Sequence, residues 1–320
     1  MRTVHVTIGT RGSALALWQA HAVADAVKAV APTCEVTIRT ITTTGDRVID
    51  VPLESIGDKG LFTKELESAL LAGEVDLCVH SMKDMPSQLP AGCAIGAMLP
   101  RADARDVLVC GPRITASSLA GVPDGARIGT GSMRRTAQLR ALFPHIEPKP
   151  IRGNVDTRLS KAEGPDYEGV VLAAAGVQRM GMADRIACYL PVGQMVPAVG
   201  QGAIGVEVRE GDAAIAQLCA LIDSGATSRC VKAERRVLAA LEGGCQAPIG
   251  AFARFEGDGL LFDAAVLSPD GSRMARASVR RGLPCDIDEA ADAVLDQLNA
   301  GGAQEILRAI NTGCQGGDRL

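Results

Sequence analysis

Apolar runs of strand length alternate with helical stripes through the first two thirds of the chain. Each run ends in a glycine-rich or polar loop, and the next apolar positions recur at helical spacing. This alternation of strand and helix predicts α/β lobes. The predicted strands cover residues 4–8, 35–41, 75–79, 93–98, 106–110, 127–129, 169–173 and 203–208. The pattern leaves open which lobe takes the last of these strands.

The last third has a different pattern. Residues 249–255, 260–267 and 275–280 form consecutive strand-like runs, and both connections between them contain Asp-Gly. Consecutive strands with such turns are typical of an antiparallel meander. We therefore expect a small α+β domain with a three-stranded antiparallel sheet. The helical stripes on either side of it are Ala233, Val237 and Leu241, and Ile287, Ala291, Val294 and Leu298.

Two similar glycine–hydroxyl loops each lead from a strand into a helix. The first is Gly9-Thr10-Arg11-Gly12-Ser13, where Ser13 is a candidate N-cap, and the second is Gly129-Thr130-Gly131-Ser132. Free backbone N–H groups at such helix starts bind anions. The shared pattern suggests two similar lobes, although one short match does not by itself establish a duplication.

A polar loop follows the apolar run at residues 75–79. It contains Lys83 and Asp84, with His80 directly before it. In α/β sheets, ligands bind beyond the carboxyl ends of strands, so Asp84 could face a cationic group and move a proton. The alternative is a surface loop with an ordinary ion pair. His80 is more typical of a hydrogen-bonded structural residue than of a catalyst.

Residues 42–60 lack clear periodicity and contain many turn-forming and charged residues. Long loops of this kind in compact domains are often lids over a site. Plain surface disorder is the alternative, and the sequence does not choose between them.

Composition narrows the function classes. The net charge is −4 and aromatic residues make up only 2% of the chain, which argues against nucleic-acid binding. The ten cysteines show no Cys-x-x-Cys spacing, so we expect neither zinc nor disulfides. We find no apolar run of membrane-spanning length and no signal peptide pattern. These features predict a soluble, reduced, cytoplasmic protein with aliphatic cores.

Arginines recur near strand ends and helix starts, beside glycine, serine or threonine. They are Arg11, Arg134, Arg135, Arg152, Arg158 and Arg179. Arginine binds carboxylates and phosphates in a bidentate manner, and no P-loop motif is present, so we expect a site for a small molecule with several carboxylates. The alternative is that each pairs with a surface acid. Cys245 follows two glycines in a turn and is either an accessible thiol or an inert buried one.

Seven segments together carry a resemblance that spans nearly the whole chain. They are Ile8-Gly9-Thr10-Arg11-Gly12-Ser13-Ala14-Leu15-Ala16, Gly57-Asp58-Lys59-Gly60-Leu61-Phe62, His80-Ser81-Met82-Lys83-Asp84-Met85-Pro86, Ile128-Gly129-Thr130-Gly131-Ser132-Met133-Arg134-Arg135, Arg152-Gly153-Asn154-Val155, Gly200-Gln201-Gly202-Ala203 and Leu241-Glu242-Gly243-Gly244-Cys245-Gln246. In this order they resemble the porphobilinogen deaminases, also called hydroxymethylbilane synthases.

The resemblance implies three domains. Residues 1–100 with 198–222 would form domain 1, residues 101–197 domain 2 and residues 223–320 domain 3. The first two would resemble type II periplasmic binding proteins, so the strand at 203–208 would return to domain 1. Domain 3 would carry the cofactor on Cys245.

The resemblance also implies the chemistry. Four porphobilinogens would be condensed head to tail, with loss of ammonia, onto a covalent dipyrromethane on Cys245, and hydroxymethylbilane would then be released by hydrolysis. Asp84 would be catalytic, and no metal would be needed. The cofactor would contact Arg11, Ser13, Lys83, Asp84, Thr130, Ser132, Arg134, Arg135, Arg152, Gly153 and Arg158. The substrate would contact Arg11, Lys59, Phe62, Arg152, Arg158 and Arg179. We expect a monomer that passes its product to uroporphyrinogen-III synthase.

Two other functions fit parts of the pattern. A two-lobed solute receptor for carboxylates would use the arginines but would leave Asp84 and Cys245 without a role. A thiol enzyme that uses Cys245 in turnover would need a general base nearby, and the sequence around Cys245 supplies none.

Overall fold

A computed structural model describes residues 5–47, 63–241 and 247–315. The chain forms two compact units. Unit 1 contains Met1–Ala102 and Gly202–Ser228, and unit 2 contains Asp103–Gln201 and Arg229–Leu320. The further division of unit 2 into two domains stays a prediction.

Within the described residues, the elements follow the predicted alternation closely. The strands are β1 His5–Thr10, β2 Glu35–Thr40, β3 Leu77–Ser81, β4 Cys93–Met98, β5 Asp106–Cys110, β6 Arg127–Gly129, β7 Glu147–Lys149, β8 Gly169–Ala173, β9 Cys188–Tyr189, β10 Ile204–Arg209, β11 Ile249–Glu256, β12 Gly259–Leu267 and β13 Met274–Gly282. The helices are α1 Ala14–Val30, α2 Thr44–Arg47, α3 Lys64–Leu71, α4 Met133–Leu142, α5 Val155–Glu163, α6 Ala174–Arg179, α7 Ala213–Ile222, α8 Gly225–Ala240, α9 Ile287–Ala300 and α10 Ala303–Gln315.

Unit 1 is built on a five-stranded sheet in the order β2-β1-β3-β10-β4. β1 is parallel to β2 and β3, whereas β10 is antiparallel to both of its neighbours. The strand that the pattern left unassigned therefore returns to unit 1, as the family resemblance implied. Its apolar residues join those of β1, β3, α1 and α7 in one core.

Unit 2 contains a second five-stranded sheet, in the order β7-β6-β8-β5-β9. Here β5 is the antiparallel strand, in the same fourth position that β10 holds in unit 1. The loops at residues 9–13 and 129–132 both follow the second strand of this order. The predicted likeness of the two lobes therefore extends to their strand order.

The predicted meander is confirmed as the antiparallel sheet β11-β12-β13. Its inner face packs with α8, α9 and α10 around the buried Phe262 and Val294. The predicted fold class, two α/β lobes and a C-terminal α+β part with a three-stranded antiparallel sheet, is confirmed.

Helix α1 begins with the predicted N-cap. The Ser13 hydroxyl accepts a hydrogen bond from the Ala16 amide at 3.3 Å, as expected of an N-cap. Apolar residues at helical spacing in α1 predict one buried face that includes Val23, Val27 and Val30. Val23 and Val27 are buried, but Val30 is 40% exposed, so the prediction is wrong for Val30. Val30 is the last residue of α1, where the helix no longer covers the sheet.

The sequence of residues 151–158 predicts the end of a strand followed by a helix. The strand before this helix is β7, which ends earlier, at Lys149. Arg179 was expected near the start of its helix, but it is the last residue of the six-residue α6. Of the expected lid, residues 44–47 form the short helix α2, and residues 48–60 lie outside the described ones. No helix in the described ranges is long and apolar enough to cross a membrane.

The two hairpin turns of the meander provide a matched stability test. Gly257 and Gly271 both have positive φ, so alanine costs about 1 kcal/mol of backbone strain at either position. A Cβ at Gly271 would also lie 2.8 Å from the Ala141 amide nitrogen of α4, whereas Gly257 faces open space. We expect Gly271→Ala to lose a further ~1–3 kcal/mol, measured by urea unfolding. Equal losses in the two variants would contradict the packing of this turn on α4.

Candidate active site

In unit 1, two loops that carry predicted site residues lie at the same edge of the sheet. Because β1 and β3 are parallel neighbours, their carboxyl ends lie side by side. Arg11 and Ser13 follow β1, and Lys83 and Asp84 follow β3. The structure thus brings these four residues to one edge, as the sequence predicted.

The turn that carries Asp84 is anchored on both sides. Lys83 and Asp84 are exposed, whereas Met82 and Met85 around them are 1% and 5% exposed. The Met82 amide donates to the Ala203 carbonyl at 3.1 Å, and the Met82 side chain occupies the space where Gly205 lacks a Cβ. No other described residue bonds to the Asp84 carboxylate. Asp84 is therefore a rigidly presented acid that is open to a ligand.

A hydrogen bond that sequence reasoning missed joins α1 to β3, the elements next to the two site loops of unit 1. The Gln19 amide nitrogen of α1 donates to the Ser81 hydroxyl at 2.8 Å, and Gln19 is 3% exposed. This bond ties the first half of α1 to the last residue of β3. The only signal in the sequence is a polar residue on the buried stripe of α1.

In unit 2, the loop before α4 is organised by its own hydroxyl groups. The Thr130 hydroxyl accepts from the Ser132 amide at 3.2 Å, and the Ser132 hydroxyl caps α4 by accepting from the Arg135 amide. The Thr130 amide donates to the Lys149 carbonyl at 3.0 Å. Both hydroxyl residues are thus fixed at the carboxyl end of β6.

The loop before α5 lies directly against this one. A Cβ at Gly131 would come within 2.7 Å of the Ile151 carbonyl oxygen, so the close approach requires glycine. The same hypothetical Cβ lies 3.9 Å from Arg158 Nη2, and Arg158 Nε donates to the Gly153 carbonyl at 2.7 Å. Thr130, Ser132, Gly153 and Arg158 therefore belong to one loop cluster, and Arg152 is part of the same loop.

Behind this cluster, the first turn of α4 carries a buried ionic network. Arg134 Nη1 lies 2.7 Å from Asp106 Oδ2, and Arg135 Nη2 lies 2.7 Å from Asp106 Oδ1. The arginine side chains are 5% and 6% exposed and Asp106 is fully buried. Burial alone would raise the pKa of Asp106, but the charges and hydrogen bonds of the two arginines outweigh it and hold that pKa well below its usual range.

The network extends into the segment that leads back to unit 1. Gln201 Nε2 donates to Asp106 Oδ1 at 2.8 Å and to the Ala104 carbonyl at 2.7 Å. Arg134 Nη1 and Gln138 Nε2 both donate to the Val196 carbonyl, at 2.6 and 3.2 Å. The α4 arginines and the return segment are therefore held by one set of bonds inside unit 2.

Asp106 is the main residue that sequence reasoning missed. Its one signal is an acidic residue at the start of a strand that is otherwise apolar. Arg134 and Arg135 were predicted to bind the ligand. The structure gives both a buried partner, and their contact with a ligand stays a prediction. Arg134 Nε is buried and has no hydrogen-bond acceptor among the described residues.

Of the remaining predicted residues, the structure describes only Arg179, the last residue of α6. Burial lowers the pKa of Arg179 to about 10. Lys59, Phe62 and Cys245 lie outside the described residues. Of the described cysteines, Cys34, Cys78, Cys93, Cys219 and Cys230 are buried and none forms a disulfide. The described residues contain no group of His, Cys, Asp and Glu suited to a metal ion.

Asp106→Asn should remove the counter-charge of two buried guanidinium groups and cost about 3–5 kcal/mol of folding free energy. The control Glu163→Gln breaks the exposed pair with Arg185 and should cost about 0.5 kcal/mol. Urea unfolding of both variants measures the difference.

The pH dependence gives a second check on Asp106. Because folding lowers its pKa, its contribution is complete above about pH 4 and is lost as the pH falls further. The stability difference between wild type and Asp106→Asn should therefore shrink below that pH. A difference that is constant down to pH 2 would contradict this assignment.

Comparison with protein families gives two matches. Residues 6–217 match the porphobilinogen deaminase, dipyromethane cofactor binding domain, and residues 228–299 match the porphobilinogen deaminase, C-terminal domain. The two matches together cover most of the chain, including residues of both units.

Solved structures give only distant likenesses. The substrate-binding domain 2 of GlnP from Lactococcus lactis is 10% identical with a TM-score of 0.44, and covers 76% of this chain and 93% of its own. The aliphatic sulphonate binding protein SsuA from Escherichia coli is 13% identical with a TM-score of 0.38, and covers 74% and 70%.

Curated relatives are much closer. Porphobilinogen deaminase of Bordetella parapertussis is 47% identical over 305 residues, which are 95% of this chain and 96% of the relative. The enzymes named porphobilinogen deaminase in Thiobacillus denitrificans and Roseiflexus castenholzii are 45% and 47% identical and cover 98% of their own length. Their alignments cover 95% and 94% of this chain. With two family models and full-length relatives at this identity, the chain belongs to the porphobilinogen deaminase family.

Proposed function

We propose that this chain joins four porphobilinogen units head to tail, with loss of ammonia, and that Asp84 is its catalytic acid–base group. Family membership makes the chain an enzyme of tetrapyrrole synthesis with a dipyrromethane cofactor. The solute-receptor alternative is not favoured, because the closely similar curated relatives bear an enzyme name.

The observation that carries the role of Asp84 is its presentation. The carboxylate is exposed and unpartnered among described residues, but its turn is held by the buried Met82 and Met85. Loss of ammonia from porphobilinogen leaves a delocalised cation, and the attacking pyrrole becomes cationic before it loses a proton. A fixed carboxylate stabilises both cations and can move the proton. Lys83 and Arg11, at the same edge, would hold carboxylates of the pyrroles.

The residues of unit 2 fit the acidic side chains of a dipyrromethane. The buried network contains two guanidinium groups and one carboxylate, and Arg134 Nε has no acceptor among the described residues. When bound, the dipyrromethane supplies the primer to which substrate units are added. We propose that Cys245 holds it through a thioether. The proposed cofactor contacts are Arg11, Ser13, Lys83, Asp84, Thr130, Ser132, Arg134, Arg135, Arg152, Gly153 and Arg158.

Substrate carboxylates would be bound by a partly separate set of cationic residues. Arg152 and Arg158 belong to the loop cluster beside Gly131, and a guanidinium fork matches a carboxylate in a bidentate manner. The proposed substrate contacts are Arg11, Lys59, Phe62, Arg152, Arg158 and Arg179. We further propose a cytoplasmic monomer with three domains that passes its product to uroporphyrinogen-III synthase.

Asp84→Ala should keep the fold and the covalent cofactor but lower the rate of chain elongation about 10²–10⁴-fold, since a positioned acid–base group contributes on this scale. A stopped assay of tetrapyrrole formation measures it. Asp124→Ala removes an exposed acid in unit 2 and should leave the rate unchanged. Normal turnover by Asp84→Ala would remove Asp84 from its role.

Intact mass tests the cofactor and its attachment. The purified wild type should carry the mass of two condensed pyrrole units, and Cys245→Ser should lack it. Cys285→Ser, which changes a partly exposed thiol elsewhere in the chain, should keep it. If the wild type is unmodified, incubation with porphobilinogen should add the mass. A wild type that stays unmodified after incubation would contradict the proposed function.

A further inference from the structure

The face of β3 that points toward α3 is apolar except for one group of titratable side chains. Cys78 packs there with Leu66 and Leu70 of α3, and alternate residues of a strand share a face, so His80 lies on it too. His80 is 6% exposed. It lies two positions before Met82, the first residue of the turn that carries Lys83 and Asp84.

His80 is paired with an acid from the antiparallel strand. His80 Nε2 lies 2.9 Å from Glu207 Oε2, and the two side chains are 4% and 0% exposed. Glu207 is opposite Cys78 in the ladder between β3 and β10, and Gly205 is opposite His80. The bond therefore crosses the ladder diagonally and joins β10 to the end of β3.

Glu67 of α3 adds a second acid to this group of titratable side chains. Glu67 of α3 is 8% exposed, and burial, together with the charge of Glu207, raises the pKa of its carboxyl. Other titratable or charged groups that act on these side chains come from α3, β3, β4 and β10. They are Lys64 of α3, Cys78 of β3, Cys93 of β4, and Arg209 and Glu210 at the end of β10.

Stability alone does not account for this arrangement. Two polar side chains lose so much hydration on burial that apolar residues of similar shape can stabilise a protein as well or better. A hydrogen bond, however, prescribes one direction and distance, whereas apolar packing is not directional. A pair of this kind is suited to hold a geometry.

The geometry held here is that of the catalytic turn. The same strand β10 also supplies Gly205, over which Met82 packs, and the preceding residue Ala203 accepts the Met82 amide. Thus β10 contacts the end of β3 at His80 and the turn at Met82, directly before Lys83 and Asp84.

We propose that His80 and Glu207 are positioning residues, whose hydrogen bond fixes the end of β3 and thereby the orientation of the turn that presents Asp84. The inference rests on the proposed role of Asp84. Neither residue needs to touch the substrate, because the effect passes through the backbone of residues 80–84.

The test compares three variants. In His80→Phe with Glu207→Met, apolar side chains replace the hydrogen-bonded pair, and we expect a stable protein with normal cofactor mass. Its kcat should fall about 10²-fold with little change in KM, since a small misplacement of a catalytic group has effects of this size. Glu207→Gln keeps an oxygen that accepts from His80 and should stay close to wild type, whereas Glu207→Met alone should be slow.

Hydrogen exchange supplies a readout besides activity. The amides of Met82 and Met85, which bond to Ala203 and Met82, should exchange faster in the double variant than in the wild type. The control Leu66→Val alters the apolar packing between α3 and β3 without a hydrogen bond to the pair or to the turn, and should lower stability but keep kcat and this protection.

Full kcat in the double variant would overturn the proposal, because the pair would then only fill space. If the double variant does not fold, the single variants decide: Glu207→Gln as slow as Glu207→Met overturns it too. Failure of the proposed function looks different, because Asp84→Ala would then remain active. If both hold, adding Glu207→Met to Asp84→Ala should change the residual rate little, since the two residues act as a unit.

Discussion

Asp106 lies fully buried at the start of β5, where its two oxygens accept hydrogen bonds from Arg134, Arg135 and Gln201. Two buried guanidinium groups on one helix turn would repel each other and lose their hydration without this carboxylate. The same arginine-bearing helix accepts the hairpin turn at Gly271, and its Gln138 binds the return segment at Val196. The contacts that α4 makes in unit 2 therefore depend on the buried carboxylate of Asp106.

The antiparallel strand has an equivalent task in both sheets. In unit 2 it is β5, which carries Asp106, and in unit 1 it is β10, which carries Glu207. Each strand places a buried carboxylate against cationic or titratable groups of its neighbours. Parallel strands present their site residues at their carboxyl ends. The antiparallel strand lies beside the innermost of them, fourth of the five strands, and its buried carboxylate binds groups behind those site residues.

Glycines decide how closely the site loops approach. At Gly131 the backbone of one loop touches the Ile151 carbonyl of the next, and at Gly205 the space of an absent Cβ is filled by Met82. A side chain at either position would push a site loop away from its support. The glycine-rich segments of the chain thus serve close packing as well as the anion-binding amides that helix starts offer.

The sequence by itself determined most of the strands, the two lobes with their paired glycine–hydroxyl loops, the C-terminal meander and the family, but it missed the short strand β9 and predicted β7 only as a strand end at Ile151. Strand and helix periodicity, turn residues and helix caps are local properties, which a short stretch of chain carries by itself. It also placed Asp84 on a loop beyond a buried strand, and the structure has it there.

Only the tertiary structure decided which strand lies antiparallel in each sheet and which residues pair with the buried charged side chains. Asp106 and Arg134 are 28 residues apart, and His80 and Glu207 are 127 apart, so no local pattern joins them. Their pairing is set when distant strands enter the same sheet, because an ion taken out of water is stable only where the fold brings a counter-charge within hydrogen-bond distance.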